Sequence, residues 1–146
     1  YLNKDAIRNY GLDRKDVEDT AIAALLATGL VARVYTHGDL SHAKPSSDPF
    51  LPLFQNGFYE PRSPQLTVLL KPHVYLSGMP GGTGHGTAYD YDRHVPLIFM
   101  GRGIAAGVYD APSGPEDIAP TIARILSLPF QVEHDARLLV EMLSGK

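Results

Sequence analysis

His85 is the residue in this chain whose surroundings best suit chemistry. It lies in 81–101, GGTGHGTAYDYDRHVPLIFMG, among Gly81, Gly82, Gly84 and Gly86. Glycines without side chains let a bulky group or an ion approach an imidazole and its backbone closely. Neutral imidazole is the commonest protein ligand for zinc. The competing reading is a solvated histidine in a flexible turn. As a phosphate cradle the glycines are weak, because no lysine follows to complete the GK[ST] ending of a P-loop.

Other polar constellations say less. Asp90 and His94 have D-x-x-x-H spacing, which on a helix would aim both side chains at one ion. The following Val95-Pro96 reads as a strand start, and the residue before a proline disfavours helix. On a strand, positions four apart lie about 13 Å apart, so a shared ion is not expected there. An ion pair of Asp90 or Asp92 with Arg93, or a local hydrogen bond of His94, is the plainer reading. Glu133, His134 and Asp135 cluster after a proline turn. His37, His42 and His73 sit in loops and read as solvated. Tyr89 and Tyr91 alternate with acids, which suits one packed and one wet face. No serine occupies a G-x-S-x-G elbow, so no Ser/His/Asp triad is proposed.

The elements that must position His85 alternate between helix and strand. Asp13 suits a helix N-cap, with Asp16 in the first turn. Val17, Ile22, Leu25 and Leu26 give its apolar stripe, and Gly29 a stop. Residues 30–36, LVARVYT, read as a strand, and 37–49 as a loop. Residues 50–58 suit a short helix burying Leu51, Leu53 and Phe54. LTVLL at 66–70 is a second strand, which 74–76 would continue or pair with. A long loop over 77–94 leads to VPLIFM at 95–100, apolar on both faces like a central parallel strand. Ser113 and Glu116 fit a capping box, with Pro115 and Pro120 in the first turn. Ile118, Ile122, Ile125 and Leu126 form that helix's expected buried stripe, Pro129 ends it, and 137–143 read as a last short helix. The order is that of an α/β protein.

Composition sets outer limits. The chain has 146 residues, a net charge of −3 and 44% hydrophobic residues, ordinary values for one globular domain. No basic block suggests nucleic acid, and no apolar run nears the roughly 20 residues that span a bilayer. Cysteine is absent, so disulfides and thiolate metal sites are excluded, which leaves His, Asp and Glu as the strong candidate metal ligands. No signal peptide is recognisable. Because the chain opens at Tyr1 in what reads as folded sequence, it is expected to be a piece of a longer protein.

Two segments carry a family resemblance. GTGHGTAYDYDRHVPLIFMGRGI (82–104) and DIAPTIARIL (117–126) resemble the C-terminal part of the alkaline phosphatase superfamily. The likeness is to the bacterial secreted phosphatases and phosphodiesterases with a threonine nucleophile. They share a G-T-x-H-G-[ST]-x-Y-x-Y-D-x-H-V-P-L segment followed by D-I-A-P-T. Tyr1-Leu2-Asn3, Gly11-Leu12-Asp13, Tyr59 and Arg62-Ser63 are similar as well, so the resemblance covers nearly the whole chain. It implies a three-layer α/β/α sandwich with a mostly parallel sheet. Residues 1–78 would be a helix and strand part, and 79–146 the metal loop, central strand and terminal helices of one domain. It implies that His85 ligates one of two zinc ions about 4 Å apart. Beside it, His94 and Thr87 are expected to orient other groups of the site without touching the ion. It also implies a phosphate-ester substrate, no nucleic-acid or membrane partner, and a periplasmic or secreted location.

The departures are equally informative. The remaining family ligands, an early aspartate, a helical D-x-x-x-H pair and an Asp-His dipeptide, have no match here in the expected setting. The nucleophile belongs at a helix start; Thr121 lies in the terminal helix motif and does not match it. No catalytic residue is therefore assigned in this chain. Ala136 stands where similar proteins often carry glycine. The expectation is a fragment that supplies one metal ligand and is inactive alone, with excised apolar faces that promote self-association. The alternative is a stand-alone α/β binding module.

Overall fold

The computed structural model describes residues 1–42, 46–78, 81–132 and 135–144. It divides into two compact units, 1–95 and 96–146. The His85 loop belongs to the first.

Unit 1 opens with α1 (Lys4–Asn9) and α2 (Arg14–Ala27). Asn3 caps α1, and Asp13 caps α2 by accepting the Asp16 N–H at 3.0 Å, as expected from the sequence. Thr28 ends α2, and Gly29 turns the chain with a left-handed φ of +72°. Val17, Ile22 and Leu25 are half-buried, whereas Leu26 is exposed. β1 (Val31–Thr36) follows and pairs with β2 (Leu66–Leu70), the register running from Val31 opposite Leu70 to Thr36 opposite Leu66. The pairing is antiparallel. An apolar run such as LTVLL fits either direction equally well, so its pattern alone carried no information on this point.

Between the strands lie α3 (His37–Ser41) and α4 (Leu51–Asn56). The first was expected to be loop. A reciprocal cap creates it: the Thr36 hydroxyl accepts the Asp39 N–H, and Asp39 Oδ2 accepts the Thr36 N–H at 2.9 Å. The core of the unit is Tyr35, Leu40, Leu51 and Leu69, with Phe50, Phe54, Phe58, Ala88 and Tyr89 packed around it. Tyr35 and Phe54 rings lie 4.9 Å apart. The buried Tyr35 hydroxyl donates to Asp48 at 2.9 Å. Burial, then that carboxylate, push its pKa well above the usual tyrosine range. Residues 74–76 form no strand.

Unit 2 contains a 3₁₀ turn (Pro115–Asp117) running into α6 (Ile118–Ile125), and a second 3₁₀ turn (Val140–Met142) in place of the last expected helix. Its cap differs by one residue from the expected Ser113 and Glu116: Asp117 Oδ2 accepts the Gly114 N–H at 3.0 Å. The buried face of α6 also differs. Pro120, Thr121 and Ala123 are buried, while Ile122 and Leu126 are 41% and 60% exposed. Polar contacts decide the orientation. The fully buried Thr121 Oγ1 accepts the Leu139 N–H at 3.1 Å, and buried Asp117 accepts the Arg137 N–H at 2.7 Å. These pin the helix's Thr121 side on the 137–142 segment.

The central strand expected over 95–100 does not form. Those residues lie in neither helix nor strand, with Ile98 82% and Met100 96% exposed. A strand needs a neighbour to satisfy its backbone, and among the described residues the segment has no ladder partner. No described helix is long and apolar enough to cross a membrane.

Candidate functional site

The His85 loop is held in place on both sides of the histidine. Downstream, Thr87 N–H donates to Asp92 Oδ2 at 2.7 Å. Asp92 is positioned by α5 (Asp90–Arg93), a single helical turn whose start is Tyr89; the Tyr89 carbonyl accepts the Asp92 N–H at 2.9 Å and the Arg93 N–H at 3.2 Å. The Thr87 N–H is the main reason why the Asp92 carboxyl lies below the usual carboxylate range, helped by the Thr87 hydroxyl, the Gly86 N–H and the His85 ring. The Thr87 hydroxyl is close enough to act electrostatically, yet its buried oxygen makes no well-formed hydrogen bond. The backbone contact is therefore the firmer one.

The tyrosines of the loop anchor it to the core. Tyr89 OH donates to the Leu70 carbonyl at 2.8 Å, tying the loop to the end of β2, and its ring meets Phe50 edge-on at 5.1 Å. Tyr91 stacks on Tyr89 at 5.6 Å, and His73 stacks on Tyr91 at 4.7 Å. Tyr91 OH accepts the His73 N–H at 3.1 Å. That bond braces His73 in a left-handed conformation, φ +62°, rare outside glycine. The two tyrosines therefore stack on one another on one side, in keeping with their alternation with acids. Upstream, the Tyr75 ring lies against Gly84; a β-carbon there would come within 2.3 Å of it. Glycine at 84 lets this exposed aromatic ring lie close beside the histidine.

His85 itself is exposed and has no hydrogen-bond partner among the described residues. Its imidazole nitrogens are free to meet a ligand from outside the loop. His94 is exposed too, and its backbone N–H donates to the Asp90 carbonyl at 2.7 Å. That bond corrects the expectation of an extended Asp90–His94 stretch. The proline restriction acts on Val95 alone, leaving 90–93 free to turn helically with acids in the first turn. The Asp90 carboxylate meets Arg93 at 3.8 Å, the plain ion pair expected. Among the described residues, no three histidine, aspartate or glutamate side chains gather as a metal-binding group. A single open imidazole fits the role of one metal ligand. Glu133 and His134 lie outside the described residues. Of the loop histidines, His37 is half-buried, 3.8 Å from Glu60 and edge-on to Phe58.

The loop-bearing architecture can be set beside known proteins. No family model matches the chain. A protein of Myroides odoratus named calcium-transporting ATPase is 33% identical over 89% of this chain and 24% of its own length. Alkaline phosphatase PafA of Elizabethkingia meningoseptica is 28% identical over 89% of this chain and 24% of its own length. Alkaline phosphatase PhoK of a Sphingomonas species is 29% identical over 91% and 25%. The crystal structure of wild-type PafA superposes with a TM-score of 0.83 at 26% identity, covering 99% of this chain and 28% of that one. The chain belongs to the alkaline phosphatase superfamily. It spans about a quarter of the length of these curated relatives, and its fold is a piece of the alkaline phosphatase α/β fold.

Reading the sequence put forward His85 and the tyrosine-rich segment as candidates. It missed Asp92 as the residue that closes the loop, and Tyr75 as the ring over Gly84. The Asp92 contact spans five residues and has no recurring spacing signature. The glycine at 84 was a signal of close approach, but not of what approaches.

Proposed function

We propose that this chain is the part of a zinc-dependent phosphoric-ester hydrolase that delivers His85 as a metal ligand, with the nucleophile and the other ligands lying outside residues 1–146. The observation that carries this reading is an exposed imidazole with no hydrogen-bond partner among the described residues, on a loop held by Asp92 and Tyr89. Pre-organisation of this kind is what a ligand residue needs, because a mobile imidazole loses affinity on ordering. A zinc pair, when bound, would neutralise charge on the transferring phosphoryl group and polarise its oxygens. The chain's own share is positional. Asp92 fixes the backbone after His85, Tyr89 anchors it to β2, and Gly84 leaves room for Tyr75.

The names of the relatives support a phosphoryl-hydrolysing parent. Phosphatases cleave phosphate esters and an ATPase cleaves a phosphoanhydride, reactions that both need charge neutralisation at phosphorus. Monoesters or diesters are the proposed substrates, and the periplasm or exterior of a bacterium the proposed location. Alone, the chain is proposed to be inactive, since one imidazole cannot hold a metal in a catalytic geometry.

Zinc titration by calorimetry and hydrolysis assays test this. The chain alone should show no tight saturable zinc binding and no turnover of a chromogenic phosphate ester. In the longer protein, His85→Ala should lower kcat/KM by about a hundredfold or more, with a matching loss of bound zinc. A His85→Ala variant with full activity and full metal content would overturn the proposal.

A further inference from the structure

A second site lies in unit 1, away from the His85 loop. A cleft of about 670 Å³ is walled by residues that include Lys4, Arg14, Ser63 and Gln65, and none of 81–94 lines it. Gln65 is the informative member. It is only 8% exposed. Its Oε1 accepts the Leu2 N–H at 2.9 Å, which sets the orientation of the amide. Its Nε2 donors then have no protein partner among the described residues. The Gln65 side chain is largely buried while its amide donors open onto the cleft, where they can meet an acceptor that enters it.

The other groups on the wall are donors as well. Lys4 makes no ion pair among the described residues, and Arg14 uses Nε on Glu18 at 2.8 Å, leaving its terminal nitrogens unpaired. Ser63 Oγ accepts the Tyr59 N–H at 2.9 Å, so its own proton remains available. The carboxylate on the wall, Glu60, is 79% exposed and sits 3.8 Å from His37 Nε2, so it leans toward solvent and a basic ring. Exposed Lys4, exposed Arg14 (already paired on one side with Glu18) and two neutral donors therefore share the wall with one exposed carboxylate, Glu60. Such a wall matches an acceptor-rich anion. Its volume exceeds that of a bare phosphate ion, and Leu2 and Pro61 add apolar surface.

We infer that this cleft binds the phosphate group of a small organic phosphate, through Lys4, Arg14 and the Gln65 amide, at a site separate from the His85 loop.

The test is amide and guanidinium NMR on the chain in chelator-containing, metal-free buffer, with glycerol phosphate, inorganic phosphate and acetate as probes. Glycerol phosphate should shift the Gln65 side-chain amide saturably, inorganic phosphate more weakly, and acetate least. Lys4→Gln, which removes a side chain with no structural partner, should weaken binding about tenfold, the scale of one charge-assisted contact. His85→Ala should bind unchanged. Non-saturating shifts, equal response to acetate, indifference to Lys4→Gln, or dependence on His85 would each overturn the inference. Because chelation removes metal from the experiment, failure here leaves the His85 reading standing, and failure of that reading leaves this site standing.

Discussion

Asp92 is the residue on which the His85 loop closes. Its carboxylate accepts the Thr87 N–H, and that contact is the first cause of its lowered pKa. With the folded-state value below the unfolded one, the contact contributes fully above the ordinary aspartate range of about 3.9. It is lost as pH falls through the lower folded-state value. An NMR titration should therefore show the Asp92 carboxyl titrating below that range. Asp92→Asn should raise hydrogen exchange at the Thr87 amide; unchanged exchange would mean that the loop is held by other groups. Gly84 makes a second prediction at this scale. In Gly84→Ala the new methyl meets the Tyr75 ring. Tyr75 is 62% exposed and can swing away. The expected result is a changed Tyr75 resonance with a small stability cost, of about 1 kcal/mol or less.

Among the elements, the best-read are those whose ends carry capping chemistry. Asp13 announces α2, and Asp13→Ala should cost about 1 kcal/mol in thermal or urea unfolding of unit 1. β1, β2 and α4 were legible from β-branched runs and apolar spacing. The short α3 was not, because Thr36 and Asp39 sit in a polar stretch that reads equally well as turn. α6 was legible as a helix but not in its facing. Its isoleucine stripe pointed to a core, yet the buried side is set by Asp117 and Thr121, whose partners Arg137 and Leu139 lie 18 to 20 residues away. Asp117→Ala removes a buried acceptor from the Gly114 and Arg137 N–H groups at once. It should destabilise unit 2 by about 2–4 kcal/mol, read from loss of amide protection over 114–126. The same limit applies to the site. His85 stood out as a candidate through its glycines, whereas the contacts that hold its loop, Asp92 five residues from Thr87 and Tyr89 nineteen from Leu70, follow no recurring spacing.

For the molecule as a whole, apolar surface dominates expected behaviour. Ile98, Met100, Val108, Leu126 and Leu128 are all more than half exposed. Buried apolar surface is worth about 25 cal/mol per Å², so covering such side chains by self-association is favourable. Sedimentation velocity should show association that rises with concentration and is reduced in an Ile98→Lys, Met100→Lys variant; a monomer at all concentrations would contradict this. The chain matches about a quarter of each relative's length, and His85 is its proposed contribution to a larger metal site. The most direct test is the metal-loaded crystal structure of the longer protein. A ring nitrogen of His85 should lie about 2.0–2.1 Å from a bound zinc ion, with Asp92 still accepting the Thr87 N–H. A His85 ring turned to bulk solvent, away from any bound ion, would contradict the account.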